Sequence, residues 1–281
     1  MTIGRPREDG RMKKHRLHEM SWMEAQEAFR KSDTVIMPVG TLHAHGPTPI
    51  GIDASSVEAL ADEVGKRTGL MTLPPLWYGE NDKMREYPGS ITISQGTLEA
   101  FYTDICRSLH GNGTTKVVFL NGHGGNREPL VRAGRNVRAL GMVTAVVEWW
   151  TIGKKLMPGL FPEGTHIWEL AVAVAIGGTG IADVRGGGYK GEWGVNPPLR
   201  RLFGAEINPL GFNNFEYRGA QMLIPVDAWD IDIESPPDIP AAALEELRRR
   251  GQESMDRLVE YIAAFVSEFR KIDVGQAWPK A

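Results

Sequence analysis

"KVVFLNGHGGNREPLVRAGRNVRALGMVTAVVEWW", residues 116–150, holds the pattern on which the fold turns. A β-branched run ends in an Asn-Gly-His-Gly-Gly-Asn loop. The loop opens onto a stretch with helical spacing, and a second β-branched run (142–150) follows. Strand, helix and strand in that order are the signature of parallel strands joined by a crossover. The same order is read upstream. "TVIMPVG" (34–40) is an inner strand ending in glycine. "SSVEALADEVGKRTG" (55–69) is an amphipathic helix with an N-cap serine and a stopping glycine. "LMTLPPLWYG" (70–79) gives a short strand, and "TLEAFYTDICRSLHGNG" (97–113) a helix capped by Thr97. "SWMEAQEAFRKS" (21–32) precedes them as a helix with Trp22, Ala25 and Phe29 on one face. The expected fold class is α/β, a three-layer α/β/α sandwich with a mostly parallel central sheet. Such sheets place their sites beyond the C-terminal ends of the strands.

The rest of the chain fits one domain over residues 1–281. Of these, 42% are hydrophobic, enough for a full core. Residues 1–17 read as a loose polar lead-in. Residues 178–240 are dense in Gly and Pro and read as a loop excursion with a small hairpin. Residues 240–271 read as one long helix returning to the body. A net charge of −3 offers no basic field for nucleic acid. No apolar run approaches the roughly 20 residues of a membrane span, and no apolar h-region follows the N-terminal basic residues. The single cysteine, Cys106, fits a reducing compartment, so a cytoplasmic protein is expected.

"TLHAHGPTPIGID" (41–53) follows directly on the first strand. It sets His43, His45 and Asp53 just past a strand end, and His123 stands just past another. His43 and His45 are two apart, so an extended backbone points both imidazoles to one side. Two imidazoles with a carboxylate suit an ion of borderline softness such as zinc. Asp53, with two oxygens, can bridge two ions about 3.5–4 Å apart. His123 and Glu169 complete the shell, with His166 three residues ahead of Glu169. His15, His18 and His110 lie in polar or helical contexts and receive no role. "NGHGGN" lacks the lysine and Ser/Thr of a phosphate-binding P-loop. Ser90 and Ser94 lack a nucleophile-elbow pattern, and Cys106 falls inside a helix.

Four stretches, in order, resemble the creatininase family: "PVGTLHAHGPTPIGID", "YGENDKMREYPGSITIS" with the helix after it, "VVFLNGHGGN" and "HIWELAVA". The resemblance spans roughly residues 17–176 and rests most heavily on "NGHGGN" after a strand. It implies two divalent metal ions, zinc foremost and manganese or iron as alternatives, and a homo-oligomer, often a hexamer. By resemblance His45 is a metal histidine, Asp53 the bridging aspartate and His123 the histidine of the glycine motif. Glu169 is a metal ligand or catalytic carboxylate, and His166 the proton carrier ahead of it. Asn81 falls at a substrate-contacting position, and Trp149, Trp150 and Trp168 are candidates for a pocket wall, with core packing expected for at least one. The implied activity is a metal-dependent hydrolase in which activated water attacks a carbonyl of a small polar cyclic substrate and breaks an amide C–N bond. Ring-opening C–C hydrolysis of a cyclic diketone, such as an oxidised inositol, is the alternative. An inactive metal-binding homologue is the third reading. The chain departs from the family at His43, where a glutamate is usual, at Thr48 and Met84, where histidines are common, and at Ile167-Trp168, where the family has Ala-Gly.

Overall fold

Strand β1 (Thr34–Val39) and strand β3 (Lys116–Asn121) are buried along their whole length. Their side chains divide by parity. Ile36, Val118 and Leu120 enter one apolar cluster, whereas Val35, Met37, Val39, Val117 and Phe119 enter another on the opposite face. Period-2 alternation with both sets apolar is what a strand needs between two helical layers. The computed structural model describes residues 14–44, 48–159, 167–176, 206–211, 214–227 and 241–277, with the backbone alone at 167–170, 209–211, 241–244 and 276–277.

β1 and β3 pair in parallel at the centre of a four-stranded sheet. β2 (Met71–Thr72) lies outside β1 and β4 (Val143–Glu148) outside β3, both also parallel. One face is covered by α2 (Ile52–Thr68), α5 (Trp149–Leu156), α6 (Ile167–Ala175) and α7 (Ala241–Phe269), which share a core containing Leu60, Trp149, Val172 and Leu258. The other face carries α1 (Trp22–Lys31), α3 (Gln95–Gly111) and α4 (Arg127–Asn136), packed through Ala28, Tyr102, Cys106 and Leu130. The three-layer α/β/α expectation holds. Among the described residues a separate antiparallel sheet, β5 (Ile207–Gly211), β6 (Asn214–Tyr217) and β7 (Ala220–Leu223), occupies part of the expected loop excursion.

Four local expectations are corrected. Helix α2 begins at Ile52, three residues before the expected serine cap, because Ile52 N donates to Pro49 O and Ala54 N to Gly51 O and so close the turn early. Ser94, not Thr97, caps α3, its hydroxyl accepting from Thr97 N at 3.3 Å. Trp149 and Trp150 start a helix rather than end a strand, since β4 runs out of ladder at Glu148, opposite Asn121. Trp22 is 75% exposed, and the inner face of α1 is Ala25, Ala28 and Phe29. Nor is the described end of the N-terminal lead-in loose. Thr72 N donates to His15 O, and Arg16 Nε, Lys66 Nζ and His15 Nε2 surround the Asp62 carboxylate at 2.6–2.8 Å. Burial raises that carboxyl, but these three bonds outweigh it and hold it well below the usual carboxylate range.

Where β1 ends, the first turn of α2 lies directly on Gly40, and a Cβ there would overlap the Ala54 backbone. Gly40→Ala is therefore expected to lower stability by about 1–3 kcal/mol through overpacking. Gly96→Ala, in the first turn of α3 where a Cβ meets open space, should stabilise by roughly 0.5 kcal/mol through lost unfolded-state entropy. Urea midpoints at unchanged slope measure both; equal midpoints for the two variants would refute the close seating of α2.

Candidate metal centre

β1, β3 and β4 end level with one another, Val39 beside Asn121 and Asn121 beside Glu148. From β1 the chain turns onto the α2 face, and from β3 onto the α4 face. Two neighbouring strands whose connections leave in opposite directions open a crevice at their C-terminal ends. The loops that hold His43 and His123 rise on its two sides.

Asp53 is delivered to that crevice by helix α2. A Cβ on Gly122 would overlap the Asp53 carbonyl, so the helix start lies on the β3 exit as closely as on the β1 exit. The Asp53 side chain, in the first turn, benefits from the positive end of the helix dipole. Its Oδ2 lies 2.9 Å from His43 Nε2 and 2.9 Å from His123 Nδ1. The two rings meet edge to face, centroids 4.6 Å apart. His43 is 2% exposed and Asp53 3%. Among the described residues these three form a group whose ligand atoms all lie within 4.8 Å of one another.

The protons on His43 can be assigned by elimination. Its Nδ1 lies 2.7 Å from the Ala44 carbonyl oxygen, which can only accept. Nδ1 therefore carries a hydrogen. In a neutral ring Nε2 is then a bare lone pair, and it faces a carboxylate oxygen at 2.9 Å. Two acceptors do not rest at that distance in a buried site without a cation between them, whether a second ring proton or a metal ion. Two imidazole nitrogens and a carboxylate oxygen are a donor set that zinc or manganese accepts. Tying the far nitrogen of a ligating histidine to a carbonyl is also how metal sites set the tautomer.

Three asparagines frame the centre. Asn121 Nδ2 donates to His123 O at 2.7 Å and Asn121 Oδ1 accepts from His123 N at 3.2 Å, which fixes the loop on which the imidazole stands. Asn126 Nδ2 donates to Gly40 O, and its Oδ1 accepts from Glu80 N, each at 3.0 Å, so one buried amide ties three loops together. Asn81 Nδ2 faces Thr41 Oγ1, Leu42 O and Ile91 O at 2.8–3.0 Å. Its Oδ1 has no hydrogen-bond partner among the described residues. Glu80 is half-buried, and burial raises its carboxyl above the ordinary range, with the nearby His123 acting against the rise. Burial lowers Lys83 on the same loop.

Of the residues expected at the site, His43, Asp53 and His123 are brought together, and Asn81 lies behind the His43 loop. His45 and His166 fall outside the described residues. Trp168 and Glu169 lie on α6, but their side chains are outside the description. Ala171 and Val174 of the same helix pack on Ile52, next to Asp53. Trp150 is half-buried against the core on α5. Cys106 is buried, its thiol pushed up to about 12 by burial, which suits core and not nucleophile. Glu80 and Asn126 were not anticipated. Asn126 is the last residue of "NGHGGN" with no signal of its own, and Glu80 belongs to no spacing pattern.

A family model described as creatininase, creatinine amidohydrolase, matches residues 18–169. A creatinine amidohydrolase from Pseudomonas putida is 29% identical over 168 residues, 54% of this chain and 65% of that protein. A 3-dehydro-scyllo-inosose hydrolase from Thermotoga maritima is 29% identical over 107 residues, 37% of this chain and 34% of that one. A mycofactocin precursor peptide peptidase from Mycolicibacterium smegmatis is 34% identical over 106 residues, 35% and 42% of the two chains. The chain thus matches under two thirds of each of these relatives' lengths. A solved creatinine amidohydrolase (creatininase) superposes with a TM-score of 0.67 at 23% identity, covering 93% of this chain and 100% of the other. A creatininase described as its Mn form gives 0.65 at 24% identity, covering 92% and 99%. A variant described as the Zn–Zn type gives 0.66 at 23%, with the same coverage. These likenesses establish a shared fold.

The framing role of Asn126 is directly measurable. Asn126→Ala leaves Gly40 O and Glu80 N without their partner, so about 1–3 kcal/mol of stability should be lost in the metal-free protein. Chemical denaturation reads the difference, and a loss under about 0.5 kcal/mol, the ordinary scatter of neutral substitutions, would contradict it.

Proposed function

The chain belongs to the creatininase family, and from that premise we propose that it is a metal-dependent hydrolase cleaving the C–N bond of a small polar cyclic amide. One observation carries the reading. Two imidazole nitrogens stand 2.9 Å from a single Asp53 oxygen, and the far nitrogen of His43 is already committed to Ala44. That arrangement calls for a cation. His43, Asp53 and His123 are assigned to one divalent ion, and His45, Asp53 and Glu169 to a second. Zinc is the first choice, with manganese or iron as alternatives. When bound, such ions supply a Lewis acid for a carbonyl oxygen and lower the pKa of a water toward ~7.

The chain's own residues do the rest. Buried His43 and Asp53 keep bulk solvent from the reacting centre, so charges there act in a low dielectric. His166 carries the proton taken from the water to the leaving nitrogen as the C–N bond breaks and the new C–O bond forms. Glu169, beside the second ion, is also assigned as the catalytic carboxylate. Asn81, Trp150 and Trp168 line the substrate. The names amidohydrolase and peptidase among the relatives both denote amide cleavage, which supports the C–N assignment.

Ring-opening C–C hydrolysis of a cyclic diketone is the second reading, favoured by the likeness to an inosose hydrolase. There the proton goes to carbon and the leaving group is an enolate. His43 in place of the family's usual glutamate favours it further. A neutral imidazole leaves the ions one negative charge short of that ligand set, and so more able to polarise a ketone. We also propose a single domain acting as a homo-oligomer, a hexamer by resemblance. Ile50, Trp77 and Ile91, 38–44% exposed, are apolar side chains that a second copy would cover.

The zinc-loaded protein should release amine from one of a panel of lactams and small cyclic amides, or ring-open a cyclic diketone under the second reading. His43→Ala should reduce metal affinity and turnover by more than about 100-fold, since even outer partners of metal ligands contribute 10–100-fold. Zinc bound at full stoichiometry with no turnover of any lactam, amide or diketone would leave a metal-binding protein without catalysis and sink both readings.

A further inference from the structure

The geometry points to Glu80 as a positioning residue that sets the tautomer of His123, completing a carboxylate–histidine–metal arrangement. The inference rests on the metal centre proposed above. His123 turns Nδ1 toward Asp53 Oδ2 at 2.9 Å. Its other nitrogen, Nε2, looks to the opposite side, across the Cα of Gly125. A Cβ built on Gly125 would sit 2.8 Å from His123 Nε2 and would collide with the Oε2 atom and the carbonyl of Glu80. The carboxylate and the imidazole nitrogen therefore border one small space, and Gly125 keeps it clear by having no side chain.

Glu80 does not arrive there by chance of rotamer alone. Its backbone N–H is held by Asn126 Oδ1 at 3.0 Å, and Asn126 follows Gly125 in the loop that bears His123. The preceding residue, Gly79, bonds in turn to the strand-like segment at Thr92 and Ile93. The carboxylate is thus mounted on the same framework as the ring across Gly125 from it. It is half-buried, and His123 is among the charges it feels.

The consequence follows from donor and acceptor chemistry. The carboxylate makes no direct hydrogen bond to the ring, but its negative charge across the space at Gly125 favours the tautomer with hydrogen on Nε2, which leaves the Nδ1 lone pair directed at Asp53 and at an ion shared with it. On the other side of the centre the Ala44 carbonyl does the same for His43, with the ring reversed: hydrogen on Nδ1, lone pair on Nε2. Both imidazoles then present bare nitrogens to one carboxylate oxygen. A neutral backbone carbonyl fixes one and an anionic side chain the other. The anion also raises the basicity of His123 as a ligand, and so strengthens its bond to a metal.

The test is zinc affinity by chelator competition on wild type, Glu80→Gln and Glu80→Ala, with circular dichroism on the metal-free proteins as a check of fold. Glu80→Ala should weaken zinc binding by about 10–100-fold. Glu80→Gln, whose amide oxygen still accepts but carries no charge, should recover part of that loss; a residue needed only for packing would show no such order. Wild-type affinity in both variants overturns the role of Glu80 and leaves the metal centre standing. A wild type that binds no zinc or manganese overturns the metal centre itself. Should X-ray absorption find one oxygen fewer around zinc in Glu80→Gln, Glu80 is a direct ligand, and the tautomer-setting role is overturned. If a variant loses its circular dichroism signal, nitrogen-15 shifts of His123 in wild type decide alone: hydrogen on Nδ1 refutes the inference and hydrogen on Nε2 supports it.

Discussion

The structure depends on how closely helix α2 can approach two strand ends at once. Gly40 follows β1 and Gly122 follows β3, and neither has room for a Cβ against the first turn of α2. Side chains at either place would push the helix start away from the sheet. Asp53, the second residue of that helix, would move with it. His43 and His123 sit one to three residues beyond the same two glycines, so the glycines set the distances within the triad. Sheet topology makes this seat available, since the connections from β1 and β3 diverge and leave the gap that α2 caps. Fold and site are therefore one constraint seen at two scales. The contacts that admit α2 to the core through Val57, Leu60 and Val64 are those that bring its first carboxylate to the crevice.

Electrostatics give the triad its direction. A carboxylate 3% exposed, with two imidazole nitrogens on one oxygen, is costly unless its charge is balanced and a hydrogen or an ion stands between each facing pair of acceptors. The partners behind the rings narrow the choice. The Ala44 carbonyl accepts only, so the His43 hydrogen is drawn outward and its lone pair inward, and an ionised Glu80 side chain acts in the same sense on His123. A site built this way is stable when a positive charge occupies its middle. A divalent ion satisfies that requirement without charging the rings.

The sheet was legible because its strands are buried on both faces. Residues 34–39 and 116–121 are apolar almost without interruption, and a run of that length bounded by glycine has few other readings. Helices α3 and α4 followed from their apolar spacing. Boundaries were less legible where tertiary contacts decide them. Nothing local marks Ile52 over Ser55 as a helix start; the turn from Pro49 to Gly51 does, and it forms against Trp77 and Leu42. Trp149 and Trp150 read as strand from their β propensity, yet β4 has no partner beyond Glu148. Within the site, the residue types and positions of His43, Asp53 and His123 were readable from the strand-end rule. Glu80 was not, because its importance lies in what stands 45 residues away in the chain. Only the missing side chain of Gly125 hints at it, and a glycine in a glycine-rich loop draws no notice by itself.

That missing side chain bears on how "NGHGGN" should be understood. Glycines in a loop between strand and helix are commonly read as a cradle for phosphate, with backbone N–H groups turned to the ligand. Here two of the three make room for protein. Gly122 admits the backbone of Asp53, Gly125 admits the carbonyl and carboxylate of Glu80, and only Gly124 borders open space. An anion above this loop would meet two acidic side chains, Asp53 and Glu80, before it met the helix N-terminus. The charge the loop is shaped to receive is therefore positive. Its flanking asparagines serve the same end, Asn121 holding the His123 backbone and Asn126 the Glu80 backbone, so that the histidine between them keeps one orientation. Read this way, the motif is a histidine mount with carboxylates on two sides, and its glycines mark where those carboxylates come in.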